Sequence, residues 1–173
     1  MPRPREQQHL AALAEVDARL RDAGIDYWLF GGWAVDFYAD SVTRPHDHVD
    51  VAVWLEDVPR IAELLVADGW RHAPDAEEDG GTGYERDAVR LELTFLVRQG
   101  DDVLVPLRHG RGSWPKDTFG TDRRELQGTG ARLVSLASLR ESKSSGRDDP
   151  DDAAKDRADV EELSRIRTHP SPP

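Results

Sequence analysis

A pair of glycines and an acidic strand contain the residues of this chain whose types and spacing can do chemistry. Gly31-Gly32 follows an apolar run and precedes a short segment with helical spacing. A glycine pair between a strand and a helix lets backbone N–H groups approach a ligand at a helix N-terminus, where phosphate groups bind. The pair predicts a phosphate-binding turn, and the alternative is a plain tight turn.

The strand predicted over 47–54 carries polar groups on one of its two faces. Side chains alternate across a strand, so its three valines share a buried face while His48 and Asp50 lie on the opposite one. A second strand, 88–97, places Glu92 opposite its apolar residues. If both strands belong to one sheet, the three polar groups share a surface, where carboxylates can hold magnesium. The alternative is a solvated sheet face with a cross-strand Glu–Arg pair.

Other basic and imidazole groups have weaker patterns. Arg44 and Lys143 are candidate phosphate contacts, through fork geometry and point charge respectively, and the alternative is ordinary surface charge. His46 and His48 point the same way on a strand, and His72 follows later. These histidines show no tetrahedral set with diagnostic spacing, so the pattern argues against a zinc site.

The bulk properties exclude several classes of protein. The chain has 173 residues, which predicts one domain, or one with a small appendage, and its 38% hydrophobic and 33% charged residues are enough for one core with a solvated surface. Its net charge of −11 argues against a general binder of nucleic acid or anionic membrane and suits a cationic partner. There is no cysteine, no hydrophobic signal core and no apolar run of membrane-spanning length. We expect a soluble, cytoplasmic protein.

The elements that must position these groups follow from hydrophobic periodicity. Helices are predicted over 6–23, 33–39, 55–69, 135–144 and 153–166, with Ser135 as an N-cap. Strands are predicted over 25–30, 47–54, 70–72, 88–97, 102–107, 124–126 and 131–134. The loops are an acidic one at 74–83, an irregular one at 108–120 and a linker at 144–152. The mixture predicts an α+β sheet domain.

The residues around the glycine pair also carry a family resemblance. Phe30 to Asp36, followed by Thr43 to Val51, resembles the polymerase-beta-like nucleotidyltransferase superfamily. It is most similar to small aminoglycoside 2''-adenylyltransferases and lincosamide nucleotidyltransferases, whose pattern is a glycine pair and then Thr-Arg-x-His-x-Asp-hydrophobic-Asp-hydrophobic. The resemblance implies a mixed sheet flanked by helices, with a C-terminal helical segment. We expect a core over 1–134, packed C-terminal helices over 135–167 and a disordered tail over 168–173.

The resemblance implies an activity as well. Such enzymes transfer a nucleoside monophosphate from an NTP to a hydroxyl of a small antibiotic, which confers resistance. The acidity of this chain favours a cationic acceptor of the aminoglycoside or lincosamide class. The implied substrate contacts are Gly31, Gly32, Trp33, Arg44, His46 and Lys143. The implied Mg²⁺ ligands are His48, Asp50 and Glu92, with Asp50 and Glu92 as the catalytic carboxylates and Asp102 as the alternative to Glu92.

One position departs from the family pattern. His48 stands where the family has its first aspartate, and imidazole is a poor magnesium ligand. Asp47 is adjacent, but on a regular strand it points away from Asp50. Three outcomes follow: one well-held metal ion, use of Mn²⁺, or loss of transfer. The alternative functions are a catalytically lapsed nucleotide- or ligand-binding protein and a toxin-like transferase acting on RNA or protein.

Overall fold

The computed structural model describes residues 4–144 and 149–166, and within them it contains five α-helices and nine β-strands. The helices are α1 (Pro4–Asp22), α2 (Gly31–Ala39), α3 (Val58–Ala67), α4 (Leu136–Ser144) and α5 (Pro150–Arg165). The strands are β1 (Tyr27–Phe30), β2 (Val49–Trp54), β3 (Arg71–His72), β4 (Gly81–Arg86), β5 (Val89–Gln99), β6 (Asp102–Pro106), β7 (Arg111–Trp114), β8 (Arg123–Leu126) and β9 (Thr129–Arg132). The predicted α+β class is confirmed.

Seven strands form one mixed sheet around the long strand β5. The first part of β5 lies between β2, which is parallel to it, and β4, which is antiparallel. Its last residues pair with β6, which pairs in turn with β7. The parallel register places Asp50 directly beside Glu92. These two carboxylates therefore share one face of the sheet, as predicted.

The core extends over both faces of strand β2. Its three valines are buried, as predicted, but Ala52 and Trp54 on the opposite face are buried too. An aromatic cluster covers that opposite face. Its members are Trp28, Phe30, Trp54, Trp114 and Phe119. The face expected to be open is therefore accessible only at the end of β2 that carries Asp50.

Two segments predicted as loops contain strands. β4 begins within the predicted loop 74–83, whose glycines hid its pattern. A side chain at Gly81 would collide with the backbone of Leu93, so glycine permits the close pairing of β4 with β5. β7 lies within the predicted loop 108–120. Its sequence, Arg-Gly-Ser-Trp, has no apolar alternation, and its pairing with β6 holds it extended.

Three helices begin earlier than predicted, and the first of them, α1, starts at Pro4 rather than at residue 6. α2 starts at Gly31 rather than at residue 33. α5 starts at Pro150, inside the predicted linker 144–152. The carboxylate of Asp149 accepts hydrogen bonds from the backbone N–H groups of Asp151 and Asp152 and thereby caps the helix. The other predicted elements agree within a few residues, and Ser135 caps α4 by accepting from the backbone N–H of Ser138.

The two C-terminal helices pack against each other and against α2. Arg140 on α4 donates to the backbone carbonyls of Leu163 and Ile166. The division between a core over 1–134 and a helical segment over 135–167 stays a prediction, and the tail 168–173 lies outside the described residues. None of the helices in the described part of the chain is long and apolar enough to cross a membrane.

Candidate functional site

A cleft of about 310 Å³ opens where the glycine turn, the start of β2, β7 and the C-terminal helices meet. We divide its lining into three parts. The floor consists of Gly31, Gly32, Arg44, His46, His48 and Asp50. The aromatic wall consists of Phe30 and Trp114. The ionic wall consists of Asp47, Ser142, Lys143, Asp152, Lys155 and Asp156. Six of the predicted substrate and metal contacts thus lie together on the floor, and Lys143 faces them.

Neighbouring side chains leave no room for a Cβ at either glycine of the turn. Gly31 has φ +70°, a conformation that favours glycine, and a Cβ there would lie 2.5 Å from Oδ2 of Asp50. A Cβ at Gly32 would collide with the Arg44 guanidinium and the His46 ring. The carboxylate of Asp50 therefore lies against the N-terminus of α2, where negative charge is favourable.

A buried pair fixes the His46 ring under the turn. Asp36 is fully buried and accepts hydrogen bonds from the N–H and hydroxyl of Thr43, at 3.1 and 2.5 Å. His46 Nε2 lies 2.5 Å from Asp36 Oδ2, and its Nδ1 lies 3.3 Å from a nitrogen of Arg44. Because guanidinium only donates, Nδ1 must accept, so the proton resides on Nε2. Both ring nitrogens are used inside the protein.

The cation of Arg44 is held by a buried carboxylate on α5. Its Nε and one terminal nitrogen lie 2.8 and 2.9 Å from the two oxygens of Asp159, which is 1% exposed. Lys143 adds a contact of 2.9 Å to Asp159 and one of 3.4 Å to Asp156. Burial acts to raise the pKa of Asp159, but the hydrogen bonds from Arg44 and Lys143 outweigh it and the pKa is lowered.

Beside Asp50 the floor carries an imidazole. His48 Nε2 lies 3.2 Å from Asp50 Oδ2. The hydrogen bond to Asp50 raises the pKa of His48 against the opposing effect of burial, and the charges of Asp50, Glu92 and Asp47 add to the rise. Glu92 does not line the cleft, because its carboxylate accepts a hydrogen bond from Nε of Arg90 on the same strand.

These contacts decide whether the residues fit a metal ion. Within residues 4–144 and 149–166, no three imidazole or carboxylate side chains lie close enough together to hold one. His48 offers a nitrogen where magnesium prefers oxygen, and Arg90 holds Glu92. The set His48, Asp50 and Glu92 therefore does not fit the magnesium site that the resemblance implies.

Comparison with known proteins gives the family. The sequence profile described as aminoglycoside-2''-adenylyltransferase matches residues 12–163. The chain belongs to the aminoglycoside-2''-adenylyltransferase family. Compared directly by sequence with curated proteins, it has no significant match.

Solved structures share the fold of this family member. The lincomycin-bound lincosamide antibiotic adenylyltransferase LnuA matches with a TM-score of 0.70 and 16% identity, over 92% of this chain and 97% of LnuA. ANT(2")-Ia in complex with adenylyl-2"-tobramycin matches with a TM-score of 0.71 and 16% identity, over 90% and 87% of the two chains. An antigenic nucleotidyltransferase-like protein from Paracoccidioides brasiliensis gives 0.57 and 18%, over 90% and 75%.

Besides Glu92, two other predicted site residues do not reach the cleft. Trp33 is 1% exposed; its indole N–H donates to His9 at 3.2 Å and its ring lies 4.5 Å from the ring of His46. Every residue of α2 from Gly32 to Tyr38 is buried, so Trp33 packs into the core rather than against a substrate. Asp102, the alternative third carboxylate, begins β6 and is exposed outside the cleft lining.

Asp47 faces the C-terminal helices rather than Asp50. It precedes β2, and its carboxylate lies 2.9 Å from Nζ of Lys155 on α5. The hydrogen bond from Lys155 lowers the pKa of Asp47, and the same contact raises the pKa of Lys155. The pair lies within the ionic wall, at the exposed rim of the cleft.

Three residues that support or line the cleft, Asp36, Lys155 and Asp159, were not predicted as site residues. No short motif in the sequence gives their partners. Asp159 is 115 residues from Arg44, and only the packing of α5 on α2 brings them together. The signal that reveals this pair is a fully buried carboxylate facing a half-buried arginine in the folded structure.

Proposed function

We propose that this chain is a nucleotidyltransferase that moves a nucleoside monophosphate from an NTP to a hydroxyl of a small cationic antibiotic of the aminoglycoside or lincosamide class. The observation that carries the proposal is the carboxylate of Asp50 against the Gly31 turn, inside a cleft at a helix N-terminus. The family supports the reaction, and the lincomycin and adenylyl-tobramycin bound by the relatives support the acceptor class. We place the protein in the cytoplasm, where NTPs are available as co-substrates.

The charge of the cleft supports a cationic acceptor. Among the cleft-lining side chains of the described residues, four carboxylates face three cations, Arg44, Lys143 and Lys155. Each of these three cations is paired with a carboxylate, namely Asp159, Asp156 or Asp47. The cations of the cleft are thus already paired with carboxylates, and the net charge of −11 attracts a ligand with ammonium groups as it approaches from solution.

In the proposed reaction Asp50 receives the proton of the acceptor hydroxyl. The hydroxyl oxygen forms a bond to the α-phosphorus, and the bond from that phosphorus to the oxygen of the departing pyrophosphate breaks. Arg44 and Lys143 face the floor and stabilise the negative charge that gathers on the pyrophosphate. While Arg90 holds the carboxylate of Glu92, that carboxylate affects Asp50 only through its negative charge. No step is assigned to Mg²⁺ or Mn²⁺, because the ligand set does not fit them.

A second function is favoured by the same misfit. The pairing of His48 with Asp50 and of Glu92 with Arg90 supports a catalytically lapsed protein that binds a nucleotide or ligand without transfer. This alternative predicts nucleotide binding by the native chain without turnover, and it predicts that His48→Asp strengthens the binding of Mn²⁺. Equal turnover by the native chain and by His48→Asp contradicts it.

The proposal is tested by following pyrophosphate release and acceptor mass. The purified chain is incubated with each of the common NTPs, with Mg²⁺, Mn²⁺ or EDTA, and with a panel of aminoglycosides and lincosamides. Release that depends on an acceptor, a product heavier by one nucleoside monophosphate and their loss in Asp50→Asn support transfer. No release under any combination refutes it. A mass increase on RNA or protein, with none on a small acceptor, assigns the chain to the toxin-like class instead.

A further inference from the structure

The aromatic wall differs from the rest of the cleft because its two side chains carry no charge. Phe30 ends β1 and Trp114 ends β7, and their ring centroids lie 5.6 Å apart at an interplanar angle of 79°. Both rings are partly buried and both line the cleft. Because Phe30 directly precedes Gly31, the cleft offers a ligand aromatic rings next to the glycine turn.

The ring of Trp114 is held in place before any ligand binds. Its ring centroid lies 5.4 Å from that of Phe119, at an interplanar angle of 69°. The ring centroid of Phe119 lies 5.0 Å from that of Trp28, which is buried. The backbone of Trp114 pairs with Val103 on β6. Edge-to-face contacts of this kind fix a ring's orientation, and a preorganised surface loses little entropy on binding.

The two ligands of the proposed reaction differ in what they can place against such a surface. A nucleotide has a flat base at one end and phosphates at the other. Amino sugars carry hydroxyl and ammonium groups and have no flat ring, so the carboxylates of the ionic wall suit them better. Stacking of a nucleic acid base on an aromatic side chain contributes about 1–3 kcal/mol and tolerates all four bases.

We propose that Trp114 is the stacking surface for the base of the NTP and thereby divides the cleft. The base lies against the aromatic wall, the phosphates lie at Gly31 and Gly32, and the acceptor enters along the ionic wall of α4 and α5. The assignment rests on the proposed function. It extends that function by giving the nucleotide and the acceptor separate sides and by predicting that the chain binds more than one NTP.

The test is equilibrium binding, which needs no turnover. ATP, GTP, CTP, UTP, inorganic tripolyphosphate and an aminoglycoside are each titrated calorimetrically into the native chain, Trp114→Leu and Trp114→Phe. We expect Trp114→Leu to weaken the binding of every NTP by roughly 5- to 100-fold, as the loss of one stacked base predicts. Trp114→Phe keeps a ring and restores most of the affinity, and tripolyphosphate, which has no base, binds all three proteins equally. Leu55→Ala, an apolar truncation at an exposed site outside the cleft, serves as the control.

Several results overturn the assignment while the proposed function stands. They are unchanged NTP binding by Trp114→Leu, an equal loss for tripolyphosphate, and a loss for the acceptor alone, which would place the amino sugar on this ring. A native chain that binds no NTP also overturns it. Near-ultraviolet circular dichroism establishes whether the variants are folded. If Trp114→Leu does not fold, the comparison of Trp114→Phe with the native chain tests the assignment. Ring-dependent NTP binding without pyrophosphate release supports the assignment and refutes the proposed transfer.

Discussion

His48 Nε2 lies 3.2 Å from Oδ2 of Asp50, at the position where the resemblance implies a pair of carboxylates. A carboxylate pair would repel itself and would recruit a cation from solution. An imidazole can instead supply a positive charge from within the chain. The floor of the cleft therefore carries an internal ion pair whose strength depends on pH.

The His48–Asp50 pair should stabilise the fold at low pH and cease to do so at high pH. Since the folded pKa of His48 is raised above 6.5, its contribution is complete below pH 6.5 and is lost as the pH rises through the folded pKa. The difference in unfolding free energy between the native chain and His48→Gln, measured in urea across that range, should shrink with rising pH. In Asp50→Asn the imidazole, followed by NMR, should titrate lower. A native His48 that titrates at or below 6.5 contradicts this.

His9 should make the fold sensitive to acid. Burial, assisted by the charge of Arg5, lowers the pKa of His9 to about 4, so the neutral ring is the native form. The unfolded chain binds the proton first, and stability present above pH 6.5 is lost as the pH falls toward 4, by at most about 3 kcal/mol. His9→Asn keeps an acceptor for the Trp33 indole and should remove this slope. Parallel pH profiles for the two proteins would exclude His9 as the cause.

The Arg44–Asp159 pair should be far more costly to break than an exposed pair in the same cleft. Asp159→Ala leaves two cations near a buried position without this partner, and we expect a loss of about 3–5 kcal/mol. The matched control is Asp47→Ala, because its pair with Lys155 is exposed and should contribute about 0.2–1 kcal/mol. Urea denaturation and a double-mutant cycle with Arg44→Gln measure the coupling. Equal losses of stability in Asp159→Ala and Asp47→Ala would show that the Arg44–Asp159 pair contributes no more than an exposed pair.

Alanine at Gly31 should cost more than alanine at another left-handed glycine. Gly24 has φ +69° with nothing within 4 Å of an added Cβ, so Gly24→Ala measures backbone strain alone, about 1–2 kcal/mol. Gly31→Ala has the same strain and also displaces the carboxylate of Asp50, so it should lose more stability and weaken tripolyphosphate binding. If both variants lose the same stability and bind tripolyphosphate as the native chain does, Asp50 does not depend on Gly31.

The sequence predicts the parts of the site that depend on short-range patterns. Alternation along β2 and β5 places Asp50 and Glu92 on one face, and the parallel register brings them side by side. The glycine turn follows from its position between a strand and a helix. The Glu–Arg pair that was the alternative interpretation of this face does form, but within β5 rather than across strands, and Arg90 holds Glu92 away from the cleft.

Other parts depend on packing that a linear pattern does not contain. Trp33 was expected to contact a substrate, but α2 is buried on all sides and directs its indole to His9. Trp114 stood in a predicted irregular loop, since β7 has no alternation and is extended by its neighbour β6. The partner of Arg44 is on the last helix, so its identity required the three-dimensional arrangement.

The distance along the chain between Arg44 and Asp159 has a consequence for the order of assembly. The ribosome delivers residues from the N-terminus, so the glycine turn and Asp50 are made long before the carboxylate that holds Arg44, 115 residues later, is available. A nascent chain that has reached only β9 contains the strands of the sheet but lacks α4 and α5, and with them every residue of the ionic wall except Asp47. Ligand binding is therefore among the last properties acquired during synthesis.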